Sequence, residues 1–308
     1  MRRKTIINAA DVYRITLQEA TERFLRHCKT KNLRQETLKY YAEDCKYFAL
    51  HTEVRFIDEV NAEVFEQFIF QELEAGKKVA SLNTRIRGLR VFFNFCAERE
   101  YMEGFKFPLL KEDSEIKEPY TDAELKKLLA RPRTAFWVEW RTWAAINYLL
   151  GTGNRVSTML NVKVCDVCFQ DNTIRLTTVK NRRQQLIPLS KALSAVLRDY
   201  LKTWDSSPDD YLFPSSDGGQ LSRRSFQSAL ARYNAKRGVS KTSAHLFRHT
   251  YAKNFIMAGG GMAQLQTLLG HSTLDMTRRY VNIYATELQK NYERLNPLDT
   301  FLKRAEDL

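Results

Sequence analysis

Apolar residues recur at helical spacing through the first hundred positions. Leu17, Ala20, Phe24 and Cys28 line one face, after Thr16 and Glu19 placed as a capping box. Leu38, Tyr41, Cys45 and Phe48 form a second stripe, and Phe65, Phe68, Ile69 and Leu73 a third. Leu82, Ile86, Leu89 and Phe93 form a fourth. Four amphipathic helices with short joints predict a compact bundle. On the fourth helix Arg87, Arg90 and Asn94 share a polar face at i, i+3 and i+7. That face is a candidate DNA contact, although the same spacing fits a solvated basic face.

Residues 104–120 break the pattern with Pro108, Pro119 and mixed charges, which predicts an interdomain linker. Thr121 and Glu124 then restart a helix. Beyond them, the β-rich runs 173–179 and 185–189 flank a polar turn. Helices are predicted over 191–204, 222–237, 246–257 and 263–269, with Gly259, Gly260 and Gly261 interrupting them. The expected fold is mainly α with a small β-sheet. Residues 1–103 make a helical N-terminal domain, and residues 121–308 make a second, mixed α/β domain. Its tail carries Leu288, Tyr292, Leu295 and Leu302 as an apolar stripe.

Charge narrows the function. The 308 residues hold 49 Lys plus Arg against 36 Asp plus Glu, a net charge of +13. That excess favours a polyanionic partner, nucleic acid first. Hydrophobic residues make up 44% of the chain, yet no run approaches the roughly 18–20 apolar residues of a membrane span. No membrane partner is expected. The basic start lacks a following apolar segment, so no secretory signal is expected either. Five cysteines, an odd number without framework spacing, suit reduced thiols in the cytoplasm. Cys165 and Cys168 form a C-x-x-C, but no second ligand pair follows. No metal and no cofactor are expected.

Three of the five histidines stand in two short segments. One runs His245-Leu246-Phe247-Arg248-His249. The other is Leu269-Gly270-His271, with Tyr280 nine residues later. Upstream stands Gly151-Thr152-Gly153-Asn154-Arg155. Each alone is ordinary: a satisfied histidine, a surface tyrosine, an arginine after a turn. Together they meet the needs of phosphodiester transesterification. A phenol can attack phosphorus and form a covalent ester. Two planar guanidiniums can neutralise the non-bridging oxygens, and such electrostatic stabilisation usually lowers the barrier more than any other single effect. His245 and Arg248, at i and i+3, can share one helix face. A metal nuclease using His245, His249 and His271 would want clustered carboxylates, which are missing.

In this combination the chain resembles the tyrosine recombinase (phage integrase) family, and in length and spacing its Xer-type members, over roughly residues 15–290. The family pattern is an Arg in a T-G-x-R-x-S turn, a hairpin Lys, H-x-x-R, G-H, and a Tyr about nine residues on. Here that is Arg155, Lys180, His245, Arg248, His271 and Tyr280. The resemblance implies a SAM-like core-binding domain followed by a catalytic domain. It implies that Arg155 and Arg248 clamp the scissile phosphate, that His245 helps accept the tyrosine proton and that His271 hydrogen-bonds the phosphate. Lys180 would be the general acid, with Lys163 and Lys191 as rivals outside the turn. It further implies duplex DNA with paired half-sites as partner, a tetramer on synapsed DNA and a monomer when free. Two departures stand out: Thr158 where an acid is common, and Asn154 where an apolar residue is common. A non-catalytic DNA-binding regulator is the alternative.

Overall fold

The structure, a computed structural model, describes residues 14–112, 118–176 and 185–270. The chain divides into two units, Met1–Glu115 and Ile116–Leu308.

Unit one is built from α1 (Leu17–Thr30), α2 (Gln35–Leu50), α3 (Ala62–Glu74) and α4 (Val79–Glu98). The Thr16 hydroxyl accepts the Glu19 N–H at 3.1 Å and starts α1. Asn61 does the same for α3, accepting from the Val64 N–H at 3.0 Å. The predicted stripes meet in one core, with Phe24, Phe48, Phe68, Ile86 and Leu89 all buried. Burying each such side chain stabilises the fold by roughly 1.5–3 kcal/mol. Leu73 is the exception, exposed at 40%. Its neighbour Glu72 is buried instead, because its carboxylate accepts the Tyr47 hydroxyl at 2.6 Å. A partner on another helix thus overrides hydrophobicity at that turn.

The stretch after α4 packs on unit one. Phe105, Phe107, Leu109 and Leu110 lie against its core, and the Phe107 ring centroid is 4.2 Å from that of Phe65. Asn83 bonds the backbone of Leu110 in both directions, at 3.0 and 2.8 Å. Arg90 donates to the Phe107 carbonyl at 2.6 Å and lies over its ring. Arg90 is therefore engaged within unit one, whereas Arg87 and Asn94 remain exposed on α4.

Unit two contains α5 (Asp122–Leu129), α6 (Trp137–Thr152), the short α7 (Val156–Met159), α8 (Lys191–Leu201), α9 (Arg223–Lys236), α10 (His245–Met257) and α11 (Met262–Leu269). Thr121 and Glu124 form the capping box of α5. Helix α6 is apolar nearly all round and sits centrally, against α5, α8, α9 and α10. Three antiparallel strands, β1 (Val167–Cys168), β2 (Thr173–Leu176) and β3 (Gln185–Pro188), form one small sheet in sequence order. Ile174 faces Ile187 across β2 and β3, and both enter the core. Tyr120 is buried at the start of the unit, its N–H bonded to the Thr250 hydroxyl at 3.0 Å.

Candidate active site

The site begins at the end of α6. Gly153 closes that helix with φ +65°, a left-handed conformation that glycine adopts without penalty. A Cβ there would overlap the Tyr251 ring and stand 2.7 Å from Leu269 Cδ2. Arg155 follows two residues later and caps α7, its carbonyl accepting the Thr158 and Met159 N–H groups at 2.9 and 3.0 Å. Asn154 is buried, and its Nδ2 donates to the Tyr148 hydroxyl at 3.0 Å. The unusual amide therefore satisfies a phenol that burial holds well above its ordinary pKa. Thr158 is buried too.

Helix α10 supplies the next two groups. Arg248 is only 3% exposed; its Nη1 donates to the Gly153 carbonyl at 2.9 Å and its Nη2 to the Leu269 carbonyl at 3.0 Å. One side chain thereby joins the ends of α6 and α11 to α10. His245, one turn earlier, lines a pocket with Arg155, Ser157, Ser243, Arg223 and Gln227. No acid stands among its described lining residues. The His249 ring meets that of His245 edge-on, with centroids 5.2 Å apart. His245 reaches solvent, yet partial burial of its imidazole, then the charges of His249, Arg248, Arg155 and Arg223, push its pKa down to about 4. The ring is neutral at pH 7 and able to accept a proton. An anion in the pocket would oppose those cations and raise that pKa.

The hairpin of β2 and β3 brackets residues 177–184. Gln185, the first residue of β3, donates to the carbonyls of Thr267 at 2.6 Å and Leu268 at 3.3 Å. Gly270 then ends α11 with φ +61°. The strand that follows Lys180 and the turn that precedes His271 are therefore tied together. Lys180, His271 and Tyr280 themselves lie outside the described residues, as does the tail stripe from Leu288 to Leu302. Of the rival lysines, Lys163 pairs with Asp209 at 3.6 Å and Lys191 is exposed at the start of α8. Cys165 and Cys168 are free thiols, and the Cys168 thiol donates to Asp171 at 3.1 Å.

Arg223 and Gln227, at i and i+4 on α9, are site residues that periodicity did not flag. A signal existed: Ser222 caps a helix whose first two residues are Arg223 and Arg224. Cations in a first turn oppose the helix dipole, so a ligand is the natural reason to keep them there.

The chain matches the phage integrase family over residues 120–287. Tyrosine recombinase XerD of Yersinia pestis is 25% identical over 284 residues, covering 87% of this chain and 93% of that protein. Tyrosine recombinase XerA of Pyrococcus furiosus is 28% identical over 241 residues, covering 77% and 81%. Among solved structures, the Tn1549 transposon integrase in complex with transposon right end DNA superposes with a TM-score of 0.75. It is 20% identical and the match covers 90% of this chain and 99% of that one. A lambda integrase dimer bound to a COC′ core site gives a TM-score of 0.70 at 18% identity, covering 87% and 77%. At such identities the superpositions speak for the fold, and the family match speaks for descent. Arg155, His245, Arg248, His271 and Tyr280 all fall inside the matched span. The chain belongs to the phage integrase family, that of the tyrosine recombinases, and is Xer-like.

Proposed function

We propose that this protein is a site-specific recombinase that cleaves and rejoins duplex DNA through Tyr280. The observation that carries the reading is the pocket shared by Arg155 and His245, which has no acid among its described lining residues, with Arg248 locked into the turn behind Arg155. Such a cationic, pre-formed site suits a phosphodiester and stabilises the extra negative charge of its transition state. The Tyr280 phenol attacks phosphorus and the bond to the 5′-oxygen breaks, leaving a 3′-phosphotyrosyl ester and a free 5′-hydroxyl. The phenolic proton passes towards neutral His245, and Lys180 protonates the departing oxygen. His271 hydrogen-bonds the phosphate. A 5′-hydroxyl from a second strand reverses the step. Each ester bond broken is replaced by another, so resealing needs no ATP, and guanidiniums do the charge neutralisation without a metal ion.

Strand exchange between two duplexes requires four such sites, so the working form is a homotetramer on paired half-sites, assembled from monomers. The +13 charge supports the DNA partner and Arg87 and Asn94 of α4 remain candidate contacts. No helix among the described residues is long and apolar enough to cross a membrane; the work is assigned to the cytoplasm. The test is a nicked suicide duplex carrying the recombination site. Wild-type protein should form a denaturant-resistant DNA adduct, and Tyr280→Phe should bind the duplex equally but form none. An adduct retained by Tyr280→Phe would move the nucleophile elsewhere, with Tyr284 tested next.

A further inference from the structure

Helix α9 has a second face. Arg223 and Gln227 look into the site described above, whereas Arg224, Ser225, Ser228 and Arg232 line a separate pocket. Its inner wall is Arg141 of α6, only 4% exposed. Arg141 donates through Nη1 to the Pro214 carbonyl, and its guanidinium lies 5.0 Å from the Trp137 ring centroid. Its Nε is buried with no hydrogen-bond partner. No carboxylate pairs with Arg141, Arg224 or Arg232 among the described residues. Asp217 is the one acid among the pocket's described lining residues, its carboxyl held below the usual range beside Ser215 and the backbone at Gly219.

A buried guanidinium without a counter-charge is costly, since burial penalises the charged form. Desolvation accordingly pushes the Arg141 pKa down. A carbonyl and an indole face offset part of that cost; an anion would offset far more. The first turn of α9, a helix of 14 residues, adds the positive end of its dipole at Arg224 and Ser225.

We propose that this pocket is a second, phosphate-binding site, in which Arg141, Arg224 and Arg232 neutralise the anion while Ser225 and Ser228 donate hydroxyl hydrogen bonds. Its ligand is a phosphate group, either of duplex DNA or of a small phosphorylated molecule. Because α9 also carries Arg223 and Gln227, occupation here would fix one wall of the active-site pocket. The free-phosphate measurement below does not depend on the recombinase reading, since it involves no cleavage.

The probe is inorganic phosphate, set against chloride at equal ionic strength. The readout is urea unfolding followed by tryptophan emission, because all four tryptophans stand between positions 137 and 204 in unit two. Phosphate should stabilise the wild type. In Arg224→Ala/Arg232→Ala, both exposed positions, the apparent Kd should rise at least about tenfold. Arg141→Met should unfold no earlier than wild type in chloride, because it removes an unpaired buried charge, and should gain less from phosphate. Equal phosphate stabilisation of wild type and both variants would overturn the proposal. So would no stabilisation of the wild type at about 50 mM phosphate, or an Arg141→Met deficit of the same size in both salts. A duplex arm separates the two sources. If DNA supplies the phosphate, the double variant's log–log salt slope should shrink by about 1.8, that is about 0.9 per lost contact. Lost phosphate stabilisation with an unchanged slope assigns the site to a small phosphorylated ligand.

Discussion

Gly153→Ala tests how tightly the turn behind Arg155 is built. Two penalties add. An alanine in the left-handed region costs about 1–2 kcal/mol. Its methyl would also overlap the Tyr251 ring and crowd Leu269 Cδ2 at 2.7 Å, and overpacking of that kind costs about 1–3 kcal/mol. The sum is about 2–5 kcal/mol. Gly238 provides an internal control in the same unit. It follows α9 with φ +66° and has nothing within 4 Å of a built Cβ, so Gly238→Ala meets only the first penalty, about 1–2 kcal/mol. Urea unfolding of unit two by tryptophan emission should place Gly153→Ala about 1–3 kcal/mol below Gly238→Ala. A DNA-cleavage assay under conditions where both variants are folded should show a deficit for Gly153→Ala alone, because its carbonyl anchors Arg248 and its chain leads to Arg155. If the two variants unfold together, the close approach of Tyr251 and Leu269 to this turn is wrong, and so is the argument that glycine is required there.

Two further outcomes follow from charges in unlike settings. The His245 pKa of about 4 lies below the ordinary 6.5, so the folded state prefers the neutral ring. Its contribution is fully present above about 6.5 and is lost as pH falls towards 4; His245→Gln should flatten that part of the acid limb of unit-two stability, and an unchanged limb would refute the assignment. In unit one, a Cβ at Gly88 would collide with the buried Asp44 carboxylate and stand 3.0 Å from the Tyr40 hydroxyl. Gly88→Ala should therefore destabilise unit one despite alanine's better helix propensity, and Asp44→Ala should recover part of the loss with a coupling of about 1–3 kcal/mol. Circular dichroism, which follows the helices of both units, measures this cycle; strict additivity would show that the contact is absent.

Much of this molecule is legible in its residue pattern. The four stripes of unit one face its core as period 3.6 demands, apart from exposed Leu73 and half-buried Tyr41, and Thr121 caps α5 with Glu124. The strand pair starts at Thr173 and Gln185 as β-propensity indicates. What periodicity misses depends on partners distant in sequence. Glu72 is buried because Tyr47 is there to donate to it. Arg90 looks like a surface cation until Phe107 folds back over α4. Residues 104–110 read as linker because Pro and charge mask the aromatic contacts of Phe105 and Phe107. Within the site, Arg155, His245 and Arg248 stand out by their motifs. Arg223 does not, since only the fold brings α9 alongside α10's first residue.

The base of the hairpin has a consequence for how such a site can diversify. Leu176 and Gln185 are paired in register, and Gln185 also grips the carbonyls at the end of α11. The eight positions between them, Lys180 included, start and finish at fixed points. Doubling that span would add only about 0.6 kcal/mol of closure entropy. A residue lost from α11 would instead rotate the helix by about 100° and carry its last carbonyls away from Gln185. Insertions and deletions should thus accumulate between Leu176 and Gln185 and be purged from α11. The length of that span becomes a trait that lineages adjust independently of the anchored ends on either side of it.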